Sequence, residues 1–425
     1  MKKLFRNPRA KAATGFWLLS QKVNKFQKIL FYLLILFLPT QLGRHFWPEF
    51  SFIKGIRIDY LSPTLYFTDI LILLIFIFWI FSKKKFLISN FKFLIRSQFS
   101  NFKITIVVFM VFLLIGIFLS KSPQAGVYGL MKLLEFVFLG FYIAHNIKKL
   151  KLEKILLMFA IATIFESFLS IAQYFNHGSL QGIFYFFGER FFNPQTLGIA
   201  NATLGGELFL RPYGTFSHPN VLAGYLVIGM ALILSRIKNH ESRIKDVIFI
   251  LTLTIGTIAL LITLSRIAIL LWIVILSFYF IRKFVIHNSL FIILFLVGLL
   301  FLGLVTPLGA RFTGIKLSDE SIVQRESLIQ SSIAMIKNNP VFGVGLNNFL
   351  VNLSSYQTPH APLFYLQPVH NIFLLVASET GIIGLVFFVW FIFVTYKRIM
   401  NQSLIHNSLF IILFSVLILG MFDHY

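Results

Sequence analysis

Three arginines and two histidines stand out in a chain that offers few other polar groups beside its apolar runs. Arg266 lies in Thr263-Leu264-Ser265-Arg266, between two apolar stretches that accommodate two helices only if the chain turns tightly near Leu264. An arginine stays charged and presents a planar fork of donors that matches a phosphate or diphosphate. Arg211 opens RPYGTFSHPNVLAGYL and Arg325 sits in Val323-Gln324-Arg325-Glu326, so the three together would form a clamp for a diphosphate. Plainer readings stand beside this one: Arg266 snorkelling to a membrane interface, and Arg325 paired with a neighbouring acid. His218 before Pro219-Asn220, and His370 before Asn371, each head an apolar run. An imidazole titrates near neutral pH and can take a proton from a hydroxyl, but at a helix entry it can equally serve as a cap. His360, in Thr358-Pro359-His360, is a weaker candidate.

The carboxylates divide by position. Glu135, Glu166 and Glu379 fall inside apolar runs, where an ionisable group is either functional or neutralised by a neighbour such as Lys132. Glu379, in Ser378-Glu379-Thr380-Gly381, joins Arg211, Arg325, His218 and Asn220 as a candidate diphosphate or glycan contact. Glu49, Asp59 and the Asp319-Glu320 pair are the acids available to a metal ion, a thin set, and no metal or other cofactor is expected. The chain has no cysteine, which excludes disulfides, Cys-ligated zinc and thiol nucleophiles. No Walker A loop, HExxH, dinucleotide fingerprint or GxSxG elbow occurs.

The elements that must hold these residues follow from composition. Of 425 residues, 57% are hydrophobic and 12% charged, roughly half the charged share of a soluble domain. Apolar runs predict helices near 29–42, 64–81, 104–120, 126–147, 152–175, 219–235, 246–264, 265–281, 288–305, 370–396 and 407–422. The reading is an all-α polytopic membrane protein of about eleven transmembrane helices, one integral membrane domain over 1–425. The net charge of +23 argues for nucleic acid only until its placement is considered. Most Lys and Arg fall in the N-terminal arm and every second loop, the positive-inside pattern, so the partner is the lipid bilayer and not nucleic acid. This puts the N-terminus in the cytoplasm and the chain in the cytoplasmic membrane, with a retained first helix.

The opposite loops are 43–63, 121–125, 176–218 and the longest, 306–369, the large external loop. Within it, Ser318-Asp319-Glu320 offers a helix start and Asn338-Asn339-Pro340 a stop. Ile322, Ile329, Ile333 and Ile336 lie on one face of that helix, along the membrane surface, with packing as their expected role. The aromatic stretch Phe184 to Phe187 is likewise expected to pack rather than to hold a ligand. The segment IHNSLFIILF occurs at 286–295 and again at 405–414, without a functional reading.

The order RPYGTFSHPNVLAGYL, TLSRIAIL, QRESLIQSSIAMIKNNPVFGVGLNNF and HNIFLLVASETGIIGL resembles the O-antigen ligase and polymerase superfamily of membrane glycosyltransferases. The resemblance covers most of the chain from Arg211 onward, while the first half matches in hydropathy alone. It implies a bundle of the GT-C kind and transfer of a glycan from a polyprenyl (undecaprenyl) diphosphate carrier to a hydroxyl of a glycan, lipid or protein, outside the cytoplasmic membrane. It further implies an inverting, metal-independent reaction with Arg266 on the diphosphate, Arg211 and Arg325 in support, and His370 as the base. His218 is then second choice, with capping as its default role. Family members usually continue through a further helix after the Asp423-His424-Tyr425 region, so a twelfth helix missing from this chain is expected. Two rival readings are a transporter or flippase of lipid-linked saccharides, and a metal-dependent transferase that uses Glu49 and Asp59 with a polyprenyl monophosphate donor.

Overall fold

The computed structural model describes residues 25–81, 100–196, 198–204, 207–235, 243–284, 320–357, 366–401 and 406–423. The expected span 288–305, the start of the 306–369 loop, His360, most of the basic N-terminal arm and the first IHNSLFIILF copy lie outside these residues.

Each of the other expected spans falls on a helix. In chain order these are α1 (25–36), α2 (Phe67–Phe81), α3 (Ser100–Leu119), α4 (Pro123–Asn146) and α5 (Leu152–Asn176). There follow α6 (Pro219–Leu234), α7 (Arg243–Ile262) and α8 (Arg266–Phe284). Past α9 (Glu320–Asn338) and α10 (Phe349–Tyr356), both within the expected 306–369 loop, come α11 (Ile372–Met400) and α12 (His406–Phe422). Among the described residues four stretches are long and apolar enough to cross a membrane: Pro123–Lys149, Leu152–Asn176, Lys245–Ile262 and Ile372–Met400. Helix is the form such runs take where no water can satisfy the backbone. Together with its shorter apolar helices, this makes the chain a mostly helical, multi-pass membrane protein.

α1 stops short of the predicted residue 42, because Pro39 cannot continue the helix. The strands, unforeseen in an all-α reading, are short hairpins in the loops. Gly43–His45 (β1) pairs with Thr64–Tyr66 (β4), Phe52–Ile53 (β2) with Ile56–Arg57 (β3), and Asn201–Leu204 (β5) with Glu207–Leu210 (β6).

α6 is the central post. It packs against α5, α7, α8 and α12, and Leu222, Leu226, Val227, Met230 and Ile233 along it are fully buried. A second cluster joins α1, α2 and α4 through Phe31, Leu34, Ile75, Trp79 and Tyr142. A third joins Leu328 and Met335 of α9 to Phe349 and Leu353 of α10.

That third cluster corrects the reading of α9. It ends where the Asn-Asn-Pro stop puts it, but the packed face is Leu328, Ser331, Ser332 and Met335. Ile329 and Ile333 are 39% and 40% exposed while Ile322 and Ile336 are half-buried, and on the packed face Ser331 donates to the Tyr356 carbonyl at 3.2 Å.

α11 is broken at Gly381, whose φ of 69° is not helical. The segment that follows α9 runs into the break and pairs with it: Ile382 N donates to Pro340 O (2.8 Å), Val344 N to Ser378 O (2.8 Å) and Gly345 N to Glu379 O (3.0 Å). Gly343 sits in this contact with φ of 65°, and a Cβ there would lie 2.5 Å from Ser378 O. Gly343→Ala should therefore lower the melting temperature of the purified protein, since the left-handed backbone alone costs roughly 1–2 kcal/mol. Gly140→Ala, inside α4 with no atom within 4 Å of its added carbon, should not lower the melt. An unshifted melt for Gly343→Ala would show that the paired break does not hold the loop.

Candidate active site

The loop 211–218 is held from below by α5. Gln173 and Glu166, seven residues apart on one helix face and each 1% exposed, supply the polar groups. Gln173 Oε1 accepts from Tyr213 N (3.0 Å) and Gly214 N (2.8 Å), and its Nε2 donates to Gly214 O at 2.9 Å and Glu189 Oε1 at 2.8 Å. Glu166 Oε2 accepts from Thr215 N at 2.9 Å, and the Thr215 hydroxyl lies 2.8 Å from both Glu166 Oε1 and Pro39 O. Buried groups of this kind are stable only when paired, and here the pairing fixes the loop's path. Glu166 is thereby used as a loop anchor. Tyr213 accepts the Ala200 amide at 2.8 Å, and burial holds its phenol above its usual pKa, so it stays neutral.

This path delivers Arg211 into the bundle, where it is 7% exposed. Its Nε donates to Thr263 O at 2.6 Å and its Nη2 to Asn220 Oδ1 at 2.5 Å. Asn220, in the first turn of α6, donates in turn through Nδ2 to Asp423 Oδ2. Asp423 follows α12, and its Oδ1 lies 3.7 Å from His370 Nε2 at the entry to α11. A single polar chain thus joins Arg211, Asn220, Asp423 and His370 across four elements.

Each helix entry is fixed by capping. His218 caps α6, its Nδ1 accepting from Asn220 N at 3.1 Å, which assigns the ring proton to Nε2. Asn371 caps α11, its Oδ1 accepting from Phe373 N and Leu374 N at 3.0 Å each, while its Nδ2 donates to Met421 O at 3.2 Å. The last bond ties the α11 entry to the end of α12 beside Asp423.

The expected tight turn lies between α7 and α8, with Leu264 left-handed at φ 54°. Thr263 closes α7 and gives its carbonyl to Arg211, while Arg266, half-buried, is the first residue of α8. A guanidinium there adds its fork to the positive end of a 19-residue helix, a combination suited to an anion.

Of the candidates from sequence, Arg211, His218, Asn220 and His370 come together at one end of the bundle, with Arg266 three residues past the carbonyl that Arg211 holds. Among the described residues no hydrogen bond or ion pair links Arg325, on α9, to this group. Glu379 also sits apart. Its carboxylate accepts from Asn347 N (2.9 Å) and Phe349 N (3.2 Å), tying the loop before α10 to the α11 break. Phe184 to Phe187 form a short 3-10 turn in which Phe187 packs on Phe165 at 5.2 Å. Asp59 lies 3.5 Å from Arg190, and no group of three or more His, Asp or Glu suited to a metal occurs among the described residues. Asp423 is the member that sequence reasoning did not select. Its signal was an acid at the polar end of an apolar helix, the same signal that singled out His218 and His370.

An imidazole beside a carboxylate can take and hold a proton, and a helix-end guanidinium can hold an anion. Residues 248–389 match the family model described as O-Antigen ligase. This stretch takes in Arg266, Arg325, His370 and Glu379, whereas Arg211, His218, Asn220 and Asp423 lie outside it. No curated protein matches the chain. Over residues 248–389 the chain is thus similar to the O-Antigen ligase family.

Proposed function

We propose that this protein transfers a glycan from a polyprenyl diphosphate carrier to a hydroxyl of a glycan, lipid or protein at the outer face of the cytoplasmic membrane. The observation that carries this reading is the polar chain from Arg211 through Asn220 and Asp423 to His370, at the end of the bundle where Arg266 opens α8.

The donor is already activated, because the diphosphate is a stable leaving group. What remains is to orient the acceptor and stabilise charge. His370 takes the proton of the acceptor hydroxyl as its oxygen bonds to the anomeric carbon. The bond from that carbon to the diphosphate breaks on the opposite face, so the configuration inverts. Arg266 meets the charge that accumulates on the departing diphosphate, and Asp423 stabilises the imidazolium. Arg211 acts mainly by keeping Asn220 and Asp423 in register, since two of its donors are committed to Thr263 and Asn220. Charge stabilisation by guanidinium leaves no step that requires a metal ion.

The test is transfer from a synthetic polyprenyl-diphosphate glycan by the full-length protein, with and without EDTA. Transfer should persist in EDTA, and its loss there would favour the metal-dependent alternative. Arg266→Ala should abolish transfer while leaving membrane insertion intact, and Arg266→Lys should recover little, because a point charge replaces a fork. Full activity in Arg266→Ala would sink the assignment.

His370→Ala should reduce the rate by about 10²–10⁴-fold, the range of general-base catalysis. Asp423→Asn keeps the bond to Asn220 within reach but removes the negative charge, so it should slow turnover with little change in KM. A raised KM at unchanged kcat would instead make Asp423 a binding residue.

A further inference from the structure

The segment that follows α5 doubles back along the helix instead of leaving it. The chain reverses at His177, whose φ of 51° is left-handed, and forms a 3-10 turn at Gly182–Phe187. The rings of Phe184 and Phe187 meet Phe165 of α5 at 6.4 and 5.2 Å. Phe165 lies about three turns before the end of α5 at Asn176, roughly 16 Å down the axis. With 25 residues α5 is about 37 Å long, roughly 7 Å more than the hydrocarbon core of a bilayer. The two rings therefore lie inside that core, beside the helix.

The backbone of this segment is bonded from within. Leu180 N and Gln181 N donate to the Glu189 carboxylate at 2.8 and 2.6 Å, and Glu189 is 2% exposed. Phe184 N donates to Gln181 O (3.2 Å), Gly188 N to Tyr185 O (3.0 Å) and Glu189 N to Phe184 O (3.1 Å). The Ser179 amide and hydroxyl close the neck on Phe192 O at 3.0 and 3.1 Å. Non-helical chain at membrane depth needs such pairing, because no water is there to supply it. The outward side chains are apolar: Ile183 and Phe186 are 67% and 70% exposed, with the exposed Tyr185 ring 5.6 Å from that of Phe186. Phe165, on which the turn packs, falls between Ile161 and Phe168 in a stripe of α5 that continues to Phe175, and those three are exposed. The turn thus extends a face that, on a membrane-spanning helix, meets lipid. Charge is kept to the neck, where Arg190 pairs with Asp59 at 3.5 Å.

We propose that residues 180–187 form a re-entrant turn seated in the leaflet at the Asn176 end of α5, with Ile183, Tyr185 and Phe186 against lipid acyl chains. Glu189 supplies behind them the acceptors that water supplies to an ordinary loop. Its Oε1 also accepts from Gln173 Nε2, so the lipid-seated turn and the 211–218 loop share one anchor. The turn lies outside residues 248–389, and its seating does not depend on glycan transfer.

The chain has no cysteine, so single introduced cysteines can carry a nitroxide label without background. Ile183→Cys and Phe186→Cys, both at exposed positions, are labelled in full-length protein reconstituted in phosphatidylethanolamine–phosphatidylglycerol vesicles. Collision with oxygen is compared with collision with a water-soluble nickel chelate present on both sides of the membrane. Phe168→Cys, on the exposed stripe of α5, is the reference for lipid, and Gln195→Cys, exposed further along the loop, is the reference for water. Labels at 183 and 186 should show the oxygen preference of the label at 168. Chelate access at 183 and 186 equal to that at 195 would put the turn in water and overturn the proposal. Protection from both reagents would mean that another protein surface covers the turn, which overturns it equally.

Discussion

A guanidinium buried among apolar helices must have its charge and its donors met by the protein, and Arg211 meets them with partners at the ends of two helices. Thr263 gives a carbonyl at the negative end of α7, and Asn220 gives an oxygen in the first turn of α6. Because Asn220 then bonds Asp423, the positive charge has a carboxylate two groups away, and the costly burial of each ion is offset by the other. The elements that converge here, the 211–218 loop, the α7–α8 turn, the α6 entry and the end of α12, are held in register by that compensation. His370 inherits its position from it through Asp423.

The buried charge is in turn possible because the loop beneath it is not free to move. Gln173 and Glu166 take up the amides of Tyr213, Gly214 and Thr215, so the backbone before α6 has one path. Residues of α5 that touch none of the reacting groups therefore determine where Arg211 enters the bundle. The first half of the chain, which lacks motif signals, supplies the frame for a site whose polar members lie mostly in the second half.

Much of this was legible in sequence where the signal is local. Apolar run length gave the helices, the shortage of chain between two runs gave the turn at Leu264, and a His-Pro-Asn entry gave the α6 cap. What escaped depends on partners remote in sequence. Asp423 meets Asn220 across 203 residues, and its place at the end of an apolar helix does not say which partner it has. The isoleucine stripe of α9 only partly marks the packed face, with Ile329 and Ile333 exposed and Ile322 and Ile336 half-buried, because in a membrane protein an apolar stripe has lipid as well as core to meet. Glu379 read as an intramembrane acid awaiting a ligand. It is occupied by two backbone amides from a loop whose path no periodicity describes.

The break in α11 has a mechanical consequence. An unbroken helix transmits tilt along its whole length, whereas at Gly381 the ladder is interrupted and the chain on either side is tied to the 340–345 segment. The half before the break carries the His370 entry. The half after it exposes Ile382, Val386, Val389, Phe391 and Phe393. A change in bilayer thickness acts on those exposed side chains and is accommodated by tilt. The interruption divides the helix into two segments that share the 340–345 anchor, so the direction of the lipid-facing half is set separately from that of the half that carries the imidazole.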